Sequence, residues 1–513
     1  MRPLKIALYI WSVIALLGVV CWIVPADGWK LGDYTLRFPT LSQALDLDGE
    51  AIPDSSLIVL PDSLIASSSD SVSSPIADTL SPITPRSLTA PIAVSGTDTT
   101  VREHSEPPFV STANSLTSFF LALDSAASMP IRVVHYGDSQ IEEDRITNIL
   151  RENWQKQYGG GGVGLIPLHQ TIPTRSIRQT LFINGVLQTA QKGPKRYIVY
   201  GPKSMRLTDS DDYGVMGQVA LMDTTLVPGS DSVVLHIEPL DKKRKPHHYF
   251  NHLRVLTDSS LTFSLSPLAS APDTLRSLTA PDTLSPIANC LLPIPDSTTH
   301  CDIILQGTGR VYGISLETDK GVVVDNIPMR GCSGNIFTKI DSTQLSTFYR
   351  ETNTRLIILQ FGGNMIPQTE NPSTIKGYVR STMRQQIHYI KACAPQASIL
   401  LIGPSDMSTN IDGTMTTYPL VPYMDQQFKK MAQEEGIAYW SMYEAMGGYN
   451  SMVVWHDKGL AGSDYVHFTR AGANNIGKKL YNWIEAARLQ FKEESLKLKV
   501  AEIVEVDTLN IQK

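Results

Sequence analysis

Ile131-Arg132-Val133-Val134-His135-Tyr136-Gly137-Asp138-Ser139 sets a short apolar run against a Gly-Asp-Ser turn, and a polar, helix-compatible run follows from Ile141 to Gln157. In order, these read as a strand, a tight turn and a helix. A serine at such a turn has its hydroxyl pushed out of the sheet edge. Its amide faces the region where a helix N-terminus gathers positive potential. An acyl-transfer nucleophile belongs there, so Ser139 is the first candidate site residue. A Gly-Asp-Ser tripeptide alone is equally at home in an ordinary turn. Here it has company near the other end of the chain: Asp464-Tyr465-Val466-His467, followed by Phe468-Thr469-Arg470-Ala471-Gly472.

Working outward, the chain alternates between two modes. From about residue 117 to 158 a helix, a strand and another helix follow one another. Short β-rich runs come next: 196–200, 218–222, 232–237, 252–256 and 301–305, with Gly, Asp and Pro between them. That spacing predicts a sandwich or jelly roll. After Asp325 the alternating mode returns. Arg355–Phe361 and Ser398–Ile402 are continuous apolar runs, as expected of strands buried on both faces of a parallel sheet. Helical patterns lie over 374–393, 424–434 and 469–490, with a further strand at 437–440. The fold class expected is a doubly wound α/β domain interrupted by an all-β, jelly-roll-like insert.

At 513 residues the chain exceeds one ordinary domain. Its net charge of −6 comes with no basic stripe and no interleaved aromatics, which argues against a nucleic-acid partner. Met1-Arg2-Pro3-Leu4-Lys5 is basic, and residues 6–24 then carry no charge. That span approaches the roughly 20 residues that cross a bilayer core. With the positive flank cytoplasmic, everything after Pro25 is expected on the extracytoplasmic side. A cleaved signal peptide is the rival reading, though no small-x-small site follows the apolar run. The segment from about Asp54 to Pro108 is rich in Ser, Thr, Pro and Asp and reads as a disordered tether. Its text partly recurs: Arg86–Pro91 returns as Arg276–Pro281, and Asp78–Ile83 as Asp282–Ile287. The expected division is therefore a signal anchor over 1–25, a mostly disordered tether over 26–110 and a first catalytic part over 111–165. The β insert follows over 166–325 with a disordered loop at 264–297, then a second catalytic part over 326–492 and a tail over 493–513. Of five cysteines, Cys290 and Cys301 are close enough in sequence to bridge in an oxidising compartment.

Two further blocks complete a constellation. Arg330-Gly331-Cys332-Ser333-Gly334-Asn335 is a tight loop just after the β-rich region, and Phe361-Gly362-Gly363-Asn364 follows a buried strand directly. Strand C-termini in a doubly wound sheet converge on one crevice. Placed there, Ser139 attacks a carbonyl, His467 takes its proton and Asp464 orients the imidazole. The Ser139 amide, the Gly334 amide and the Asn364 side chain supply oxyanion donors. No metal and no cofactor is called for.

These four blocks, in this order, resemble the SGNH hydrolases, also called the GDSL esterase/lipase superfamily, over roughly residues 117–165 and 325–490. The resemblance implies a flavodoxin-like α/β domain, with Ser139 as nucleophile, Asp464 and His467 as its partners, and Ser139, Gly334 and Asn364 as the oxyanion hole. Gly331 competes for the glycine role, but Gly-x-Ser-Gly-Asn favours Gly334. A narrower likeness, through Gly137–Thr147, then Gly159–Ile166, then a β insert, is to the peptidoglycan O-acetylesterases. It implies an acylated exported glycan as substrate and partner, and a membrane-tethered enzyme. A glycan O-acetyltransferase using the same three residues and a non-catalytic glycan-binding protein are the alternatives, the latter disfavoured by the intact residue set. Among the remaining motifs, His247–His252 reads as a polar loop rather than a metal site, and Gly159–Gly162 as a flexible hinge, since no P-loop Lys-Ser/Thr follows. Trp455-His456 either lines the acyl pocket or packs on the surface. Tyr197, Tyr200, Tyr213 and Tyr249 in the insert are candidates to stack on sugar faces.

Overall fold

The structure, a computed structural model, describes residues 114–511 apart from 190–192, 209, 224–232, 241–244, 259–260, 266–277 and 280–287, together with 29–31 and 34–36. The last two segments form an antiparallel hairpin, Trp29–Leu31 with Tyr34–Leu36. The expected anchor at 6–24 and nearly all of the expected tether lie outside the described residues. Among the described residues, no helix is long and apolar enough to cross a membrane.

Five parallel strands form the central sheet, in spatial order Gly321–Pro328, Pro130–Gly137, Thr354–Gln360, Ser398–Ile402 and Ala438–Trp440. Numbered along the chain that order is 2-1-3-4-5, the flavodoxin-like winding, whose switch point lies where the order reverses beside the first strand. The period-2 alternation of a strand divides the buried side chains between two cores. Ile131, Val133, Leu356, Ile358, Leu400 and Ile402 face a core that includes Trp154 and Ile476. Val134, Tyr136, Ile357, Leu359, Ile399 and Leu401 face the other, with Phe348, Ile387 and Phe428.

The crossover from the first strand to the second contains the insert. Two six-stranded sheets build it, one running Ala288–Thr298, Phe250–Thr257, Thr308–Glu317, Gln218–Asp223 and Arg196–Ile198, with Gly164–Ile166 also pairing with Thr308–Glu317. The other contains Cys301–Gln306, Val233–Pro239 and Ile177–Ile183. Every pairing in both is antiparallel, and Leu235, Leu253 and Ile303 are among the residues of a third core.

Several expectations change here. The segment 264–297 is not all loop: Leu278–Thr279 pairs with Thr262–Leu265, and Ala288–Thr298 pairs with Phe250–Thr257. The run Cys290-Leu291-Leu292-Pro293-Ile294 takes up an otherwise open sheet edge, which its Ser/Pro-rich surroundings concealed. Cys290 and Cys301 do not bridge. Cys301 is a buried free thiol in one sheet, while Cys290 lies opposite Val255 in the other. The final helix runs from Arg470 to Ile511, so 493–513 is mostly helix rather than tail; no Gly or Pro stands between 491 and 511 to stop it. Gly159–Gly162 is not a flexible hinge. A Cβ on Gly160 would stand 2.5 Å from the Val322 amide nitrogen, and one on Gly162 would stand 2.0 Å from the Leu316 carbonyl oxygen. These glycines allow close backbone approach. The expected polar loop at His247–His252 is a buried turn running into a strand: His247 and His248 are buried and packed edge-on, and the strand starts at Phe250.

Candidate active site

The first strand ends at Gly137, and the chain then turns sharply. Asp138 caps the turn through its side chain, which accepts from the Gln140 amide at 3.0 Å. The α-helix begins only at Thr147. Between them lies a short 3-10 segment, broken by non-helical Glu142 and Glu143. The expected helix N-terminus beside Ser139 is therefore absent, since Glu142 and Glu143 leave helical geometry before the α-helix starts.

Gly334 and Asn364 lie on loops after the strands Gly321–Pro328 and Thr354–Gln360, whereas Asp464 and His467 lie between the helix Ser451–Asp457 and the final helix. Ser139 Oγ lies 2.8 Å from His467 Nε2. His467 Nδ1 lies 2.7 Å from Asp464 Oδ2, and since a carboxylate only accepts, Nδ1 carries the proton and Nε2 is the acceptor for the serine hydroxyl. Asp464 Oδ1 also accepts from the amides of Val466 and His467, each at 3.0 Å. Burial alone would raise the Asp464 carboxyl, but the hydrogen bonds from the His467 side chain and backbone outweigh it and hold the group at about 2. Tyr465, between the two, has φ +54°. This conformation is disfavoured for a bulky residue; the Tyr465 carbonyl accepts from the Ser408 amide and its ring stacks on His456.

Asn364 and Gly334 meet around Asp138 and Cys332. Asn364 Nδ2 donates to Asp138 Oδ2 at 3.2 Å and to the Cys332 carbonyl at 3.1 Å. The Gly334 amide donates to Cys332 Sγ at 3.2 Å. Both groups are thus engaged internally, and serving an oxyanion requires them to exchange these acceptors for it. Gly334 has φ +80° and is buried, and a Cβ there would lie 2.9 Å from the Phe361 ring, whereas Gly331 has open space around it. Only the Gly334 position demands glycine on both counts.

Three contributors were not singled out from sequence. Asp138 is buried and joins the nucleophile turn to Asn364. Gln140 Nε2 donates to the Val466 carbonyl at 2.7 Å and to Ser405 Oγ at 3.3 Å. Arg145 Nη1 donates to the Phe468 carbonyl at 3.3 Å. Their proximity to Ser139 was the only sequence signal. Of the residues with two readings, Trp455 is buried and packs on Phe468. Tyr213 is buried in the core, and Tyr197, Tyr200 and Tyr249 are half-buried. Among the described residues no group of three or more His, Cys, Asp or Glu could hold a metal.

No curated protein matches this chain. Residues 296–474 match the GDSL-like lipase/acylhydrolase family. The chain carries an SGNH hydrolase domain. Its activity class is therefore ester-bond hydrolysis. Ser139 stands upstream of the matched span, which begins within the β insert. Among solved structures the hydrolase is similar to a peptidoglycan O-acetylesterase, with a TM-score of 0.55 at 17% identity over 74% of this chain and 98% of that one. It is also similar to an acetyl xylan esterase, with a TM-score of 0.24 at 13% identity over 31% of this chain and 80% of that one. A third is salicylyl-acyltransferase SsfX3 from a tetracycline biosynthetic pathway, with a TM-score of 0.25 at 12% identity over 49% of this chain and 82% of that one.

Proposed function

We propose that this hydrolase is an exported, membrane-tethered serine esterase that removes O-acetyl groups from a cell-wall or other exported glycan. The hydrogen-bonded series Ser139–His467–Asp464 carries the reading. Ser139 Oγ attacks the ester carbonyl and passes its proton to His467 Nε2, while Asp464 stabilises the imidazolium that forms. The amides of Ser139 and Gly334 and the Asn364 side chain take the developing negative charge. Collapse breaks the bond to the sugar oxygen, which leaves with the proton from His467. Water then gives a proton to His467 and attacks the acyl-serine carbonyl; acetate departs and Ser139 regains its proton. The glycan assignment draws support from the likeness in fold to a peptidoglycan O-acetylesterase. The tether assignment draws on the basic start and the uncharged run at 6–24.

Ser139→Ala tests the chemistry, with acetate release from O-acetylated peptidoglycan as the assay. The expected result is loss of release with an unchanged unfolding transition, because a turn hydroxyl contributes little to packing. Retained release by the variant would overturn the serine mechanism. Fractionation of the native protein tests the tether. Recovery in the membrane fraction is expected, and a soluble exported form lacking the apolar segment would overturn it.

A further inference from the structure

We propose that Arg175, at the entrance to the β insert, is a positioning residue for ester hydrolysis, acting through Glu143 and Arg145 to fix the loops that carry Ser139 and His467. The inference rests on the roles proposed above for those two residues. The first observation is backbone strain: Glu143 and Asp144 have φ of 59° and 60°. Two consecutive non-glycine residues in the left-handed region persist only where their surroundings hold them. Arginines and a serine from separate elements do so.

The Arg175 amide donates to the Glu143 carbonyl at 2.9 Å. Its guanidinium donates to Glu143 Oε2 through Nε at 3.2 Å and Nη2 at 3.0 Å. The other carboxylate oxygen, Oε1, accepts from Arg145 Nη2 at 3.3 Å. Arg145 in turn donates through Nε to the Glu142 carbonyl at 3.0 Å and through Nη1 to the carbonyl of Phe468, the residue after His467. Asp144 accepts from Ser176 Oγ and from Arg151. Arg175 and Ser176 immediately precede the insert strand Ile177–Ile183, which is paired along its length with Val233–Pro239. The loop after the nucleophile is thus anchored to a rigid sheet of the insert.

An ordinary surface ion pair would contribute little, and burial decides between the two. The Arg175 and Glu143 side chains are 12% and 16% exposed, whereas Arg178 and Glu238, on the next stretch of the same strand pair, are 59% and 36% exposed. Each Glu143 carboxylate oxygen also has its own arginine, Arg145 on Oε1 and Arg175 on Oε2, which a solvated pair does not require.

The test uses the full chain with Arg175→Met, Glu143→Gln, the double variant, and Ser139→Ala as a control. Each is measured on a small acetyl ester and on acetylated polymeric glycan, with urea unfolding and the rate of Ser139 labelling by a fluorophosphonate in parallel. Displacement of a catalytic group by about 1 Å costs up to roughly 100-fold. Each single variant is therefore expected to lose roughly 10- to 100-fold in kcat and in labelling rate, with KM for the small ester unchanged. The double variant should be hardly worse than either single one, because both cut the same connection. Arg175→Lys should recover part of the rate. The inference fails if kcat stays within about twofold of the parent, if the two losses multiply, or if the loss is confined to polymeric glycan, which would make Arg175 a substrate-binding residue. It also fails if kcat falls only in step with the unfolding midpoint. Activity in Ser139→Ala would overturn the underlying function as well; an inactive Ser139→Ala beside a normal Arg175→Met would overturn this inference alone.

Discussion

Asp138 does more in the structure than complete a Gly-Asp-Ser turn. One carboxylate oxygen accepts from the Gln140 amide and the other from Asn364. Burial pushes its pKa up to about 6 from an ordinary 3.8, against the lowering pull of the Gln140 amide and His467. A raised carboxyl pKa means that the folded state holds the proton more tightly than the unfolded chain. The contribution of Asp138 to stability is therefore greatest below about pH 4 and declines as the pH rises to about 6. Urea unfolding from pH 4 to 7 should show the parent losing more stability than Asp138→Asn, by a difference on the order of 3 kcal/mol. Parallel pH profiles would refute the assignment. At the same scale, Asn364→Ala removes one donor from the oxyanion set, and steady-state kinetics should show kcat falling roughly 10²–10³-fold. A loss below about tenfold would take Asn364 out of that role.

At the scale of elements, the site depends on loops from different elements keeping register. Gln140 links two of them directly, since its side-chain amide spans from the nucleophile turn to the Val466 carbonyl beside His467. Gln140→Ala is expected to lower kcat by roughly tenfold through looser geometry, with KM and the thermal midpoint little changed. A parallel fall in stability would make its role merely structural. The same scale shows how far the primary sequence could be read. The continuous apolar runs at 355–361 and 398–402 correspond to the strands Thr354–Gln360 and Ser398–Ile402, since burial on both faces leaves no other composition. The helix expected from Ile141 instead starts at Thr147. Propensity alone does not register the contacts that hold the Glu142–Asp144 segment, because Arg175 and Ser176 reach it from 32 positions further along the chain.

At the largest scale, the central sheet and the insert are joined by a buried charge cluster. Arg132, on the first central strand, is 1% exposed and pairs with Asp325 on the adjacent strand and with Glu317 in the insert. Arg254, also in the insert, pairs with Glu317. A substitution that removes only the central cation leaves carboxylates buried without their full complement of partners, which costs about 3–5 kcal/mol. Arg132→Met should destabilise the protein by about that amount in urea unfolding, with the central sheet and the insert melting together. Unfolding of the insert alone, with the central sheet intact, would show that the cluster does not couple them.

Fold class and the identity of the site blocks were written locally, in features that short-range physics dictates. Buried parallel strands must be apolar throughout, tight turns need Gly and Asp, and a positive-φ loop needs Gly334. The insert was legible for a similar reason, as repeated short β runs between two α/β stretches. Which groups face one another was decided only by the tertiary structure. Ser139 and His467 are 328 positions apart, and the contacts that hold them, from Gln140, Arg145, Arg175 and Ser405, combine residues whose types are common on any surface. A hydrogen bond between distant loops leaves no periodic trace in either one. The separation of Cys290 from Cys301 has the same origin: nearness along the chain could not tell that a turn sends them into different sheets.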